Sequence, residues 1–145
     1  GDFQGDGEST CMIIDPDMLV NLLSSVIGNY NKLVIISDVY NNKIFDMFKG
    51  FAPKVVCRDG KSPNEDFKTI LSYQNVIMPA STFTWWACYL GNCKTVYMPD
   101  SFGTMGIPEK NKDIFDSTTL PNTKLKNIPG KEVILYNAPF KNINI

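Results

Sequence analysis

The chain has 145 residues, 43% of them apolar, and a formal net charge of −1, which suits one folded domain with a real core and excludes disorder as the default. Near-neutral charge and a single arginine, Arg58, argue against a nucleic-acid binder, because a phosphate backbone is usually met by several cations. Histidine is absent, so the commonest general base and the commonest zinc ligand are both missing.

Residues 1–12 are rich in glycine and acid and read as a loop or frayed end. The opening "GDF" has no methionine and reads as the middle of a longer chain, so the 145 residues are expected to be a single domain cut from a larger protein. No apolar run reaches the roughly 20 residues of a membrane span. Cys11, Cys57, Cys88 and Cys93 show no CxxC spacing and read as buried or half-buried free thiols. Localisation stays open, with the cytoplasm favoured over secretion.

At Asp15-Pro16 a cap and a first-turn proline open a helix. Leu19, Leu22, Leu23, Val26 and Ile27 follow its 3.6-residue period, and Gly28 can end it. "KLVIISD" then reads as a strand buried on both faces, as in a parallel sheet. "NNKIFDMFKG" reads as a short helix with Ile44, Phe45 and Phe48 inward. "KVVC" is a strand. "SPNEDFKTILSYQ" opens a helix with Ser62 as cap, Pro63 first and Glu65 completing a capping box.

"NVIM" is the next strand, "STFTWWACYL" a helix, "KTVYM" a strand and "EVILY" a late strand. Residues 100–130 read as irregular, with a short helical piece near Lys110–Phe115. Strand and helix alternate from residue 33 to 98, which predicts an α/β fold: a Rossmann-like, three-layer parallel sheet with helices on both faces. Ligands of such sheets sit at the carboxyl ends of the strands.

Three candidate positions fall at that edge. The helix beginning near Ser81 presents unbonded amides and a positive dipole end, with the hydroxyls of Ser81, Thr82 and Thr84 in its first turn. Together these make an anion site suited to phosphate, while the plain alternative for Ser81 is a helix cap. Asp38 ends the strand "LVIIS", where a turn or cap role is the simple reading. Asp66 lies in the first turn of its helix, where a carboxylate complements the dipole. Phe83, Trp86, Ala87 and Leu90 share one face of the "STFTWWACYL" helix and Trp85 and Tyr89 another, so the helix is expected to be buried on several sides, its tryptophans packed in the core.

The run Ser81-Thr82-Phe83-Thr84-Trp85-Trp86, preceded by "EDFKTILSYQNVIMPA", resembles the nucleotide-sugar half of the α-1,2-fucosyltransferases and their close relatives. "IISD" at 35–38 matches that family's strand ending in Ser-Asp, and "GDF" resembles the tail of its His-x-Arg-x-Gly-Asp segment. The resemblance covers roughly residues 1–105. It implies the donor lobe of a two-lobed GT-B enzyme that transfers fucose from GDP-fucose to a glycan hydroxyl with inversion and without a metal or other cofactor. It assigns Asp66 to the sugar nucleotide, Ser81, Thr82 and Phe83 to the donor site around the diphosphate, Asp38 to the donor pocket and Asp2 to the inter-lobe cleft, where an acid could accept a proton. The family's diphosphate-gripping arginine and its acceptor lobe are expected outside these residues. Two other readings fit the same pattern: a nucleotide- or sugar-binding module without catalysis, and a structural domain of flavodoxin-like layout in which Ser81 is only a cap.

Overall fold

A computed structural model describes residues 10–14, 16–26, 30–37, 46–51, 54–59, 62–100, 102, 126–137 and 140–144. In chain order the elements are β1 (Thr10–Ile14), α1 (Pro16–Val26), β2 (Lys32–Ser37), β3 (Lys54–Asp59), α2 (Pro63–Ser72), β4 (Asn75–Ile77), α3 (Thr82–Leu90), β5 (Thr95–Pro99), β6 (Glu132–Tyr136) and β7 (Phe140–Asn144). The chain divides into two compact units, residues 1–66 with 139–145, and residues 67–138; the division falls inside α2.

In the first unit β2 and β3 pair in parallel, from Lys32 opposite Lys54 to Ser37 opposite Asp59. The apolar runs "LVII" and "VVC" thus form the parallel pair their composition predicts. On α1, Leu23 is buried with Leu19 and Leu22 half-buried, the spacing of one helical face. Ser24 and Ser25 turn their hydroxyls back to the carbonyls of Val20 and Leu22, at 2.8 and 2.7 Å, the back-bonding by which serine sits inside a helix at slight cost. Residues 46–48 are helical and Phe48 is buried against the Phe51 ring. Ile44, Phe45 and Gly28 lie outside the described residues.

One expectation is corrected here. The reading of residues 1–12 as loop fails at its end, because Thr10–Ile14 is a strand, antiparallel to β7 with Thr10 opposite Asn144 and Ile14 opposite Phe140. Its partner lies at the far end of the chain, so no local pattern announces the pairing. The helical piece expected near Lys110–Phe115 lies outside the described residues.

In the second unit β4, β5 and β6 form a parallel sheet in that order. Asn75 to Ile77 face Thr95 to Tyr97, and Thr95 to Pro99 face Glu132 to Tyr136. The central strand β5 is the most buried, with Val96, Tyr97, Met98 and Pro99 all inside; a strand flanked by neighbours and covered on both faces needs such a continuous apolar run. Met78, Met98, Val96 and Ile128 form the closed centre of this core. Parallel β4–α3–β5 is the βαβ unit of an α/β protein, and the three-stranded sheet is compatible with a Rossmann-like fragment.

Backbone bonds and one lysine hold the turn after α3. The Gly91 amide bonds to Ala87 O at 2.9 Å, and the Asn92 amide to Leu71 O at 2.9 Å. Lys131 Nζ donates to Gly91 O at 2.8 Å, placing a cation at the negative end of the helix. Gly91 is needed for closeness: a Cβ there would lie 2.7 Å from Ala87 O and 2.8 Å from Leu71 Cα.

Candidate functional site

β4 runs into α3 through Met78-Pro79-Ala80-Ser81. The Met78 amide still bonds to Tyr97 O at 2.9 Å, extending the ladder by one residue, and the Ser81 amide folds back onto Pro79 O at 2.7 Å. Ser81 is extended, with φ −132° and ψ 124°, the backbone geometry of an N-cap. Its carbonyl accepts the first helical bond from the Trp85 amide at 3.1 Å, and its Oγ accepts from the Thr84 amide at 3.4 Å.

Of the amides that open the helix, Ser81 and Thr84 are therefore satisfied, while those of Thr82 and Phe83 find no acceptor among the described residues. Thr82 and Phe83 are exposed and Ser81 is half-buried. The first turn carries no acidic residue, so no local carboxylate offsets its positive end. The cap role of Ser81 uses an oxygen lone pair and leaves the hydroxyl hydrogen able to donate; the cap and the anion readings of Ser81 are compatible. Thr84 does not join the mouth, because its side chain is buried.

The carboxyl ends of the other two strands close the same edge. Tyr136, the last residue of β6, donates its hydroxyl to Met78 O at 2.9 Å, and its carbonyl accepts the Asp100 amide at 2.9 Å. Burial pushes the Tyr136 phenol above its ordinary 10.0, and the charge of Asp100 adds to the effect. Sequence reasoning missed Tyr136: its only local signal is a tyrosine at the end of an apolar strand, and its partner is distant in sequence.

Asp66 opens α2 in the other unit. Ser62 O accepts from the amides of Glu65 and Asp66, at 2.9 and 3.1 Å, and Ser62 Oγ accepts from Glu65 at 3.4 Å, so the serine half of the expected capping box is present. Asp66 is half-buried, and its Oδ1 is shielded from solvent without a hydrogen-bond partner. A carboxylate oxygen in that state is an acceptor without a donor, which folded proteins seldom leave. Asp2 and Asp38 lie outside the described residues.

The aromatic residues of α3 overturn the expected packing. The buried positions are Thr84, Ala87 and Cys88, while Phe83, Trp86, Tyr89 and Leu90 are exposed, Trp86 at 52%. Thr84, Ala87, Cys88 and Gly91 fall at helical spacings of three and four, and their small size lets the helix seat closely. Trp85 is half-buried and the rings of Trp86 and Tyr89 are exposed, and the three pack on one another: Trp85 stacks on Tyr89 at 5.5 Å and 7°, and Trp86 meets both edge-on. Phe83 meets Phe67 edge-on at 5.1 Å, beside the open amides. Cys88 and Cys93 are free and buried as expected, with Cys93 Sγ donating to Cys88 O at 3.0 Å.

Among the described residues no group of three or more Cys, Asp or Glu is placed to hold a metal ion, and no helix is long and apolar enough to cross a membrane. Comparison with curated proteins and with solved structures yields no match. A family model does match: that of glycosyl transferase family 11, over residues 24–109, more than half of the chain. The matched segment contains Asp38, Asp66, Ser81, Thr82 and Phe83, and leaves out Asp2 and Tyr136.

Proposed function

The chain belongs to glycosyl transferase family 11, and from that premise we propose that it binds the nucleotide-sugar donor of an inverting, metal-independent fucosyltransferase of the GT-B type. The donor is GDP-fucose and the acceptor a glycan hydroxyl. The observation that carries this reading is the open first turn of α3, inside the family's matched segment: the amides of two exposed residues, Thr82 and Phe83, with no acceptor among the described residues, a serine hydroxyl beside them and no carboxylate in the turn.

In transfer the acceptor oxygen bonds to the anomeric carbon while the bond from that carbon to the diphosphate oxygen breaks. Negative charge gathers on the leaving diphosphate. The amides of Thr82 and Phe83 meet that charge without reorganising, which is how preorganised dipoles favour a transition state. A helix terminus supplies at most about 2 kcal/mol, whereas enzymatic acceleration requires about 8 kcal/mol or more. Positioning of the two substrates and groups beyond the described residues account for the rest.

Asp66 receives a hydroxyl or N–H of the sugar nucleotide on its unpartnered Oδ1. Phe83 lines the donor beside the diphosphate, Asp38 belongs to the donor pocket, and Asp2 is the candidate acceptor of the glycan's proton. A thermal-shift comparison tests the reading. GDP is expected to raise the melting temperature, with UDP and FMN without effect; FMN alone stabilising the protein, or none of the three, overturns it.

A further inference from the structure

We infer that Tyr136 is a positioning residue for the diphosphate-holding turn, acting through the Met78 carbonyl; the inference rests on the donor reading above. In the sheet order β4-β5-β6, Tyr136 pairs with Pro99 on the central strand. Proline has no N–H, so β5 offers no backbone donor at this level. The tyrosine side chain reaches beyond β5 instead, and its hydroxyl donates to Met78 O on the far strand at 2.9 Å. Its own carbonyl takes the Asp100 amide. One residue thus ties the carboxyl ends of all three strands.

Met78 O belongs to the peptide plane that leads into Pro79. Proline fixes its own φ, and the Ser81 amide returns to Pro79 O within the same short turn. Little freedom remains between Met78 and the cap of α3. Holding the Met78–Pro79 plane therefore sets the direction in which the amides of Thr82 and Phe83 point. Tyr136 and its bond to Met78 are buried. Burial and the nearby Asp100 keep the phenol protonated, the state in which it can donate.

The test is calorimetry with GDP and with guanosine on the full-length protein, comparing wild type with Tyr136→Phe. Guanosine has the base and ribose without the diphosphate. Tyr136→Phe is expected to weaken GDP roughly tenfold, about 1.4 kcal/mol, and to leave guanosine unchanged. Unchanged GDP affinity overturns the inference, and so does an equal loss for both ligands, which marks a general structural role. A wild-type protein that does not bind GDP overturns the donor reading itself. Should the phenylalanine protein fail to fold, 4-aminophenylalanine at position 136 is measured instead. Its para N–H keeps a donor toward Met78 O, so GDP is expected to bind close to wild type with guanosine unchanged; a loss of GDP affinity despite that donor, or a loss shared equally by guanosine, overturns the inference.

Discussion

Ser81 Oγ accepts the amide hydrogen of Thr84 at 3.4 Å, so one hydroxyl both caps α3 and stands beside its two open amides. The two roles separate by substitution. Ser81→Ala is expected to lower stability by about 0.5–2 kcal/mol through loss of the cap, and Ser81→Gly by only a few tenths. Both remove the hydroxyl donor. Urea denaturation reads the first effect and GDP calorimetry the second: the donor role requires Ser81→Gly and the Ser81→Ala, Thr82→Ala double variant to bind GDP more weakly. Wild-type affinity in both would leave Ser81 a cap and nothing more.

Gly91→Ala forces a methyl group to within 3 Å of three backbone atoms, Ala87 O, Leu71 Cα and Leu71 O. Backbone cannot swing aside as a side chain can, so the loss is expected at the upper end of the ~1–3 kcal/mol typical of overpacking, or beyond it. Gly50→Ala is the control, since nothing lies within 4 Å of its added Cβ. Equal denaturation midpoints for the two variants would refute the close seating of α3 against Leu71.

Trp86→Gln removes a ring that is half exposed and is expected to cost under ~1 kcal/mol, as surface substitutions usually do. Met98→Ala empties the closed centre of the second unit, where large-to-small changes cost ~2–5 kcal/mol. A Trp86 variant as damaged as the Met98 variant in urea would restore the core role that periodicity assigned to the tryptophans.

Alkaline pH is expected to destabilise the fold through two groups. Burial pushes the Cys88 thiol from 9.0 up to about 12, with Cys93 adding to the shift and Lys131 opposing it; the Tyr136 phenol is likewise raised from 10.0. A raised value means that the unfolded chain ionises first and the folded chain resists. The stability they contribute is fully present below pH 9 and pH 10 respectively, and is lost as pH climbs toward the folded values. Urea midpoints measured from pH 8 upward should fall above pH 9. In Tyr136→Phe the unfolding free energy should start ~1–3 kcal/mol lower for the lost partner of a buried carbonyl, with a correspondingly lower midpoint that falls less steeply above pH 10.

The same burial makes Cys88 a poor nucleophile, because the thiolate is the reactive form, and Cys93 is buried away from reagents. Iodoacetamide at pH 8, followed by peptide mapping, should leave both unmodified in the native protein and label both in urea. Rapid native labelling of Cys88 would contradict its place in the core.

Much of the architecture was legible residue by residue. Leu19, Leu22 and Leu23 announced α1, Ser62-Pro63 the start of α2, and "LVII", "VVC" and "TVYM" the parallel strands, because each signal lies within a few residues of the structure it dictates; Val96, Tyr97 and Met98 are buried as such a run suggests, whereas Leu33 to Ile36 are only half-buried. Ser81 as the cap of α3 was legible for the same reason. Asp2 and Asp38 lie outside the described residues.

Local chemistry was decisive wherever a residue's partner is its neighbour: where helices open, which runs become parallel strands, and that the amides after Ser81 open a helix end. Folding in three dimensions was decisive wherever partners are distant or the pattern has no preference. "TFTWWACYL" is apolar on nearly every side, so periodicity could not choose its buried face; the approach of Leu71 to Gly91 chose it, and small residues won over large ones because only they permit that distance. The strand at Thr10 waited on residues 140–144, and the bond from Tyr136 to Met78 joins residues 58 positions apart, a contact that exists only once three strands have been laid side by side.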